Sequence, residues 1–388
     1  MTARVGEVFA VALRLGLTSF GGPVAHLGYF RTEYVQRRRW LDDEAYAEIV
    51  ALAQVLPGPA SSQVGFAVGM TQRGLAGGLA AWVGFTLPSA ALLAGFAALA
   101  TGADLGSPAW LTALKVVAVA VVADALLGMA RRLAATTLTA ALAVGAFAAA
   151  VLAPSALTQV GALVVAGLLG LVLLRDVDAA GPLELPVRTS RRVGVACLAA
   201  FGLLLAGLPL LAGSGLLAEV AAIHYRAGAL VFGGGHVVLP LLEQQVVPAL
   251  MDSSTFLAGY GMAQAVPGPL FTFASYLGQV VAGVPGALVA TVFIFLPGFL
   301  LLLGVLPFWS AVRANRPMQA ALVGVNAGVV GILGAALYDP IVTSTLVGPA
   351  EVVLAVALFV ALHVGRLPAW GVVLAALAAS PLLSLAAG

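Results

Sequence analysis

The chain of 388 residues is 62% hydrophobic and only 9% charged, with a mean hydropathy of +1.08 and a formal net charge of +2. Soluble domains carry about 25% charged residues, so this composition belongs in a bilayer. So small a net charge, with scattered basic residues, excludes nucleic-acid binding by phosphate neutralisation, and the lone Cys197 excludes a disulfide framework or a CxxC metal or redox site.

From the N-terminus, Arg4 precedes an apolar run over residues 5 to 20 that is not expected to be a cleavable signal, because Gly21-Gly22-Pro23 and a basic stretch follow it. Residues 24 to 39 leave this FGGP break, 44 to 56 enter Pro57-Gly58-Pro59, and 60 to 72 leave that. Each arm, about 13 to 16 residues, reaches roughly 20 to 24 Å of helix, short of the roughly 30 Å hydrocarbon core. The arms are therefore expected to be re-entrant hairpins. Non-helical backbone at such depth is tolerated where it is buried in protein or lines a wet cavity, so the breaks should face each other. Apolar runs at about 75 to 101, 109 to 130, 135 to 152 and 156 to 174 then reach or approach the roughly 20 residues of a spanning helix. A polar linker runs from Arg175 to Arg192, followed by an apolar run at about 193 to 212 with no partner earlier in the chain. Four more runs close the sequence, at about 285 to 306, 318 to 337, 350 to 364 and 367 to 386.

The second half repeats the first. Phe20-Gly21-Gly22 returns as Phe232-Gly233-Gly234 at an offset of 212, Pro57-Gly58-Pro59 as Pro267-Gly268-Pro269 at 210, and Pro88 as Pro297 at 209. Arg14 falls on Arg226, Glu33 on Glu243, Gln54 on Gln264, Gly74 on Gly283 and Gly77 on Gly286. Two copies with helix breakers inside apolar segments are the pattern of a secondary transporter whose site lies at the repeat interface. Arg31, Arg37, Arg38, Arg39, Arg73, Arg131, Arg132 and the linker arginines mark the cytoplasmic side. In the second copy the bias changes sides: residues 239 to 256 and 338 to 349 contain no Lys or Arg, whereas Arg313, Arg316 and Arg366 fall where the first copy has none. The expected fold is an all-α polytopic membrane protein of two inverted-topology repeats, each with re-entrant hairpins broken at FGG and PGP plus about four spanning helices. Its parts are an N-terminal repeat (1–175), a cytoplasmic linker (176–192), a topology-inverting helix (193–213) and an inverted C-terminal repeat (214–388), with the N-terminus inside and the C-terminus outside.

The breaks suit an anion. They expose free backbone N–H groups at Gly21, Gly22, Gly58, Gly233, Gly234 and Gly268, and helices expected to begin at Pro23, Pro59, Gly235 and Pro269 add partial positive charge. Ser19, Ser61, Ser62, Thr272 and Ser275 add hydroxyls, and Gln54 and Gln264 add amides that either cap carbonyls or touch substrate. Arg14 and Arg226 each lie six residues before the Phe of their FGG motif. A cation at mid-membrane costs at least a few kcal/mol, so it normally faces an interior cavity, and two guanidinium groups suit a doubly charged oxyanion. Plainer readings stand beside these: Gly and Pro can serve helix packing, and an arginine six residues from a helix end can snorkel to a headgroup.

No GxxxxGK[ST] segment is present, so an ion gradient is the expected driving force. Glu33 and Glu243, on the exit arms, are half-buried carboxylates of the kind that can carry a proton, or else interface anchors, with Glu33 paired to nearby arginines. Glu48 and Asp124 are single-copy candidates for the same role; Asp124 and Lys115 are nine residues apart and must find partners on other helices. His26 and His236 could shuttle protons, although lone histidines are more often structural. No cofactor or metal site is expected.

Ser19-Phe20-Gly21-Gly22-Pro23-Val24-Ala25-His26, Pro57-Gly58-Pro59, Val231-Phe232-Gly233-Gly234-Gly235-His236, Ala263-Gln264-Ala265-Val266-Pro267-Gly268-Pro269-Leu270-Phe271-Thr272-Phe273 and Gly324-Val325-Asn326-Ala327 together resemble the chromate ion transporter family in its long form of two fused domains. The resemblance covers almost the whole chain. It implies two antiparallel domains and efflux of chromate from the bacterial cytoplasm across the inner membrane, with sulfate as an isosteric competitor; Arg226 stands where the family commonly has lysine and keeps the charge. The implied partners are the oxyanion and the lipid bilayer, with a homodimer left open. A sulfate, lipid-phosphate or general oxyanion transporter would look much alike. An intramembrane enzyme is the distant alternative, since neither HExxH nor Gly-x-Ser-x-Gly is present.

Overall fold

The computed structural model of the protein describes residues 3–20, 22–102, 109–174, 187, 189–231 and 238–386. Every regular element among them is helical. The first half runs α1 (Val5–Thr18), α2 (Gly22–Phe30) passing into a π-helical turn (Arg31–Arg37), α3 (Asp43–Val55), α4 (Ala60–Gly102), α5 (Ala109–Leu133), α6 (Thr137–Leu152) and α7 (Ala156–Leu173). The second half runs α8 (Arg191–Leu211), α9 (Leu216–Leu230), α10 (Val238–Val246), α11 (Ser253–Ala263), α12 (Phe273–Val305), α13 (Trp309–Ala314), α14 (Arg316–Ala336), α15 (Thr343–Thr345), α16 (Pro349–His363) and α17 (Ala369–Ala386). Among the described residues five stretches are long and apolar enough to cross a membrane: Ala60–Ala100, Ala109–Leu133, Arg191–Ser214, Leu270–Val312 and Arg316–Thr345; shorter apolar helices are Thr137–Leu152, Leu157–Leu173, Pro349–His363 and Ala369–Pro381. This is a polytopic membrane protein.

Local chemistry fixes several helix starts. Asp42, Ser155, Ser190 and Asp252 each accept a backbone N–H from the first turn of α3, α7, α8 and α11, and Thr136 with Thr139 forms a capping box on α6. Three starts among the described residues differ from expectation by a residue or more, the first being α2, which begins at Gly22 and not at Pro23. Helix α4 begins at Ala60, one past Pro59, and in the second copy a 3-10 turn, Leu270–Thr272, separates Pro269 from α12. The expected loop at 338 to 349 instead holds a π-helical turn, Leu337–Val342, and α15, because Asp339 (φ −135°, ψ 122°) leaves helical geometry without ending the helix.

Neither α4 nor α12 is straight. Arg73 (φ −146°, ψ 34°) and Gly74 (φ 55°, ψ −147°) interrupt α4, and Ala282 (φ −142°, ψ 24°) and Gly283 (φ 62°, ψ −156°) interrupt α12 in nearly the same way. The positive φ at the second residue of each turn is where only glycine sits without strain. Beyond each turn the chain folds back, so Gly69 touches Gly77 and Gly278 touches Gly286. On a straight helix eight residues would separate those pairs by about 12 Å. The second limbs of α4 and α12 are the spans expected from about 75 and 285.

Packing divides the chain into two compact units, each drawn from both halves of the sequence. The first comprises Met1–Gly95, Val177–Val238 and Pro267–Gln319. In it, α1 lies on the second limb of α4, where Gly16 meets the carbonyl of Phe85, and α9 lies on the second limb of α12, where Gly228 meets the carbonyl of Ile294. These two contacts are equivalent in the duplication register. The second unit comprises Phe96–Asp176, Leu239–Val266 and Ala320–Gly388. There α5 packs against α11, α16 and α17, while α14 meets α6 and α7 through Gly331 on Ala143 and Gly324 on Ala166. Small residues bring the backbones into contact, the usual basis of helix association in lipid.

Candidate functional site

In the first unit the helix breaks meet across the duplication. The Gly58 N–H donates to the Val231 carbonyl at 2.8 Å, and the Gly268 N–H donates to the Ser19 carbonyl at 2.9 Å. Each bond ties the PGP break of one copy to the residue just ahead of the FGG motif of the other. Gly58 and Gly268 have φ of 116° and 103°. A Cβ at Gly58 would lie 3.0 Å from the Cα of Gly298, and one at Gly268 would lie 2.7 Å from the Ser89 hydroxyl. Backbone conformation and lack of room both demand glycine at these two positions.

Buried polar groups surround the breaks without partners. Ser19 Oγ, Ser62 Oγ, Thr86 Oγ1 and Trp82 Nε1 have no hydrogen-bond partner among the described residues, and the buried His26 ring is directed at the Ser19 backbone. His26 packs edge-on against Phe85, ring centroids 5.4 Å apart, and the Phe85 carbonyl also lies against Gly268, which places His26 and Ser19 at one break. An unmet buried donor costs about 1–3 kcal/mol, so such a cluster favours a ligand or water that accepts from it. Other hydroxyls are committed: Thr272 donates to the Pro269 carbonyl at 2.7 Å and Ser275 to the Ala90 carbonyl at 2.9 Å. Ser61 is buried, Gly22 opens α2 at φ 78°, Gln54 is exposed, and Gln264 is half-buried with its amide beside the Tyr260 hydroxyl. Gly21, Gly233, Gly234 and His236 lie outside the described residues.

Of the two arginines, Arg226 is half-buried on α9, whereas Arg14 lies 4.0 Å from Glu33 with its side chain 57% exposed. Glu33 gathers three cations: Arg38 donates to it at 2.8 Å, Arg37 at 3.4 Å, and Arg14 approaches behind them. Arg38 also bonds Glu7 at 2.8 Å and lies over the Trp40 ring. Burial pushes the Glu33 carboxyl up, but the Arg38 hydrogen bond and the charges of Arg38, Arg37 and Arg14 outweigh it and hold the group below its ordinary range.

The other acidic candidates are separate from this cluster. Glu48 is buried and accepts from the Trp309 indole at 2.7 Å. Within the second unit, Asp124 finds its partner on another helix, as its spacing required: His363 Nδ1 lies 2.9 Å from it, and Arg131 lies 3.5 Å from the other ring nitrogen. Glu243 is 5% exposed and lines a cavity of about 240 Å³ with Gln159, Gln244, Ser253 and Asp339. Sequence reasoning did not single out Ser89, Gln63 or Gln159. Ser89 had a signal, since it follows Pro88 as Gly298 follows Pro297. Gln63 spans Pro57 and Gly298 by donating to both carbonyls at 3.0 Å, a role visible only once the copies meet.

A profile of chromate transporters matches residues 6–171 and 218–380, taking in both copies and leaving out the linker and α8. The chain belongs to the chromate transporter family. That makes it a transporter rather than an enzyme. Among similar proteins are a chromate transport protein of Pseudomonas aeruginosa, 31% identical over 86% of this chain and 80% of its own length, and one of Cupriavidus metallidurans, 29% identical over 84% and 80%. An uncharacterized transporter of Methanocaldococcus jannaschii is 28% identical over 84% of this chain and 82% of its own length. No solved structure matches the chain significantly.

Proposed function

We propose that the protein is a secondary active transporter that exports chromate, a divalent tetrahedral oxyanion, from the cytoplasm, driven by the proton motive force. The observation that carries this reading is the pair of break contacts, Gly58 to Val231 and Gly268 to Ser19, beside buried hydroxyl and indole groups with no acceptor among the described residues. An oxyanion supplies the acceptors that those groups lack. Half-buried Arg226, together with Arg14 at its more exposed position beside Glu33, supplies the positive charge that attracts a dianion. The descriptions of the Pseudomonas and Cupriavidus relatives support chromate as the cargo.

The proposed setting is a bacterial inner membrane, with halves 1–175 and 214–388 in opposite orientations, joined by the linker 176–192 and the helix 193–213. Contacts support it by joining segments that this topology assigns to one face. Arg73 bonds the Ala3 carbonyl, Glu48 meets Trp309 and Arg131 approaches His363, all assigned to the inner face. Pro154, Glu243 and Asp339, all assigned to the outer face, line one cavity.

The test is purified protein in liposomes, with chromate inside or outside and an imposed pH gradient. Chromate flux opposed to proton flux, with sulfate as a weaker competitor, is the expected result. Sulfate flux exceeding chromate flux, with sulfate uptake rather than chromate resistance in cells, would replace the cargo; no flux of either would end the proposal.

A further inference from the structure

Glu243 stands in the position duplicated from Glu33, yet its surroundings are of the opposite kind. Its carboxylate is 5% exposed, and Oε1 has no hydrogen-bond partner among the described residues. The cavity beside it is formed by the α6 to α7 connection, by α10, by the start of α11 and by the end of α14 with the π-helical turn that follows. Among the described residues those elements bring one other charged side chain to the cavity, Asp339, and no Lys, Arg or His. Gln159 is 3% exposed, and its Oε1 is also unpartnered, as is the Ser253 hydroxyl.

A buried carboxylate and a buried amide oxygen therefore line one cavity with no cation between them. Acceptors in that arrangement are costly when the carboxylate is ionised, and the cost falls when a proton or a cation joins the site. Burial, with the charge of Asp339 added, pushes the Glu243 carboxyl up to about 8. The cavity meets the exposed surface at Asp339 and Gln244, which gives the carboxyl a route to water.

We infer that this cavity is a proton-binding site in which Glu243 carries the proton and Gln159 and Ser253 offer oxygens that accept a hydrogen bond from the protonated carboxyl, and that the Glu33 corner has no such role. The use of the site, coupling oxyanion export to protons entering from the outer face, rests on the transport reading; its existence does not.

The experiment is therefore run first without substrate. Thermal unfolding of the purified full chain in detergent is followed from pH 5 to 9 in sodium-free buffer, and again with added NaCl. A carboxyl whose folded pKa lies above the unfolded 4.5 gives stability that is full below that value and is lost as pH rises through the folded pKa. The wild-type Tm should fall from about pH 5 to about pH 8 and level off above that, Glu243→Gln should lose that slope, and Glu33→Gln should keep it. Gln159→Leu, a second variant, should move the midpoint of the slope to lower pH. Equal slopes in wild type and Glu243→Gln would overturn the inference. A sodium-dependent rise in Tm that Glu243→Gln abolishes would make the ligand a metal cation and overturn the proton assignment. In liposomes, Glu243→Gln should retain chromate exchange at equal pH on both sides but lose acceleration by a pH gradient. Absence of chromate flux in wild type would defeat the transport reading while leaving the Tm result standing.

Discussion

The corners around Glu33 and Glu243, which align in the register of the repeated motifs, are electrostatic opposites. Around Glu33 three arginines converge within 4.0 Å. Around Glu243 the only charged neighbour among the described residues is another carboxylate, Asp339, and the group lines a cavity instead of an ion-pair network. A duplicated residue therefore need not keep a duplicated role. What a carboxylate does is set by whether a cation stands within reach, because that decides whether the ionised or the protonated form is favoured at neutral pH. The first copy spends its carboxylate on ordering arginines, and the second keeps its carboxylate free to titrate.

The comparison would collapse altogether if the two corners faced the same side of the membrane. With Cys197 replaced, a cysteine introduced at Gly181 should be labelled from the cytoplasm, and cysteines at Asp252 and Ser344 from the periplasm. Labelling of 181 and 252 from one side ends the inverted arrangement. The next largest effect concerns the cations. Arg14→Gln or Arg226→Gln should weaken chromate binding by roughly 10- to 150-fold, the equivalent of about 1.5 to 3 kcal/mol for a lost charge-assisted contact, with lysine recovering only part. Binding to purified, monodisperse variants checks this; wild-type affinity in both glutamine variants would return the arginines to anchoring roles.

Stability should then separate the glutamates by sign. At neutral pH, Glu33→Gln should cost about 1.5 to 3 kcal/mol, because it strips a largely buried acceptor from Arg38 and Arg37. The Glu33 contribution is present above its unfolded pKa and lost as pH falls through its depressed folded value, so the deficit should shrink in acid. Glu243→Gln should be neutral or stabilising at pH 8 and above, where the wild type must ionise a buried group. Chemical or thermal denaturation of both variants across pH makes the comparison, and deficits of the same sign and pH trend would erase the distinction. The smallest effect belongs to Asp339→Asn. Asp339 is exposed and already accepts from Thr343 at 2.7 Å, so its removal should lower the pH of the Glu243 transition by less than about one unit.

Much of this was legible before the structure. The arms 5 to 20, 44 to 56 and 60 to 72 and the spans from about 75 and 285 all followed from apolar run length and the positions of Gly and Pro. The repeated Gly74 and Gly283 were register marks that turn out to be the hinge of each folded helix. Half of the Glu33 and Glu243 contrast was also in view, since Arg37 and Arg38 follow Glu33 while residues 239 to 256 hold no Lys or Arg. The remainder is non-local. Nothing near Gln159 in the sequence announces a partner more than eighty residues away, and the Gly58 to Val231 bond joins residues that no local pattern relates.

The exchange of backbone hydrogen bonds between the breaks has one more consequence, for how the chain tolerates being divided. Gly58 in the first half relies on Val231 in the second, and Gly268 in the second relies on Ser19 in the first. Either half expressed alone is left with a break whose donor has lost its acceptor, in a setting where water does not readily replace it. A cut within the polar linker, with both fragments supplied together, leaves every such bond available. The two halves should therefore behave as complementing fragments, each inactive alone and competent as a mixture, with the peptide link between them serving to hold a fixed one-to-one ratio and not to hold the breaks in register.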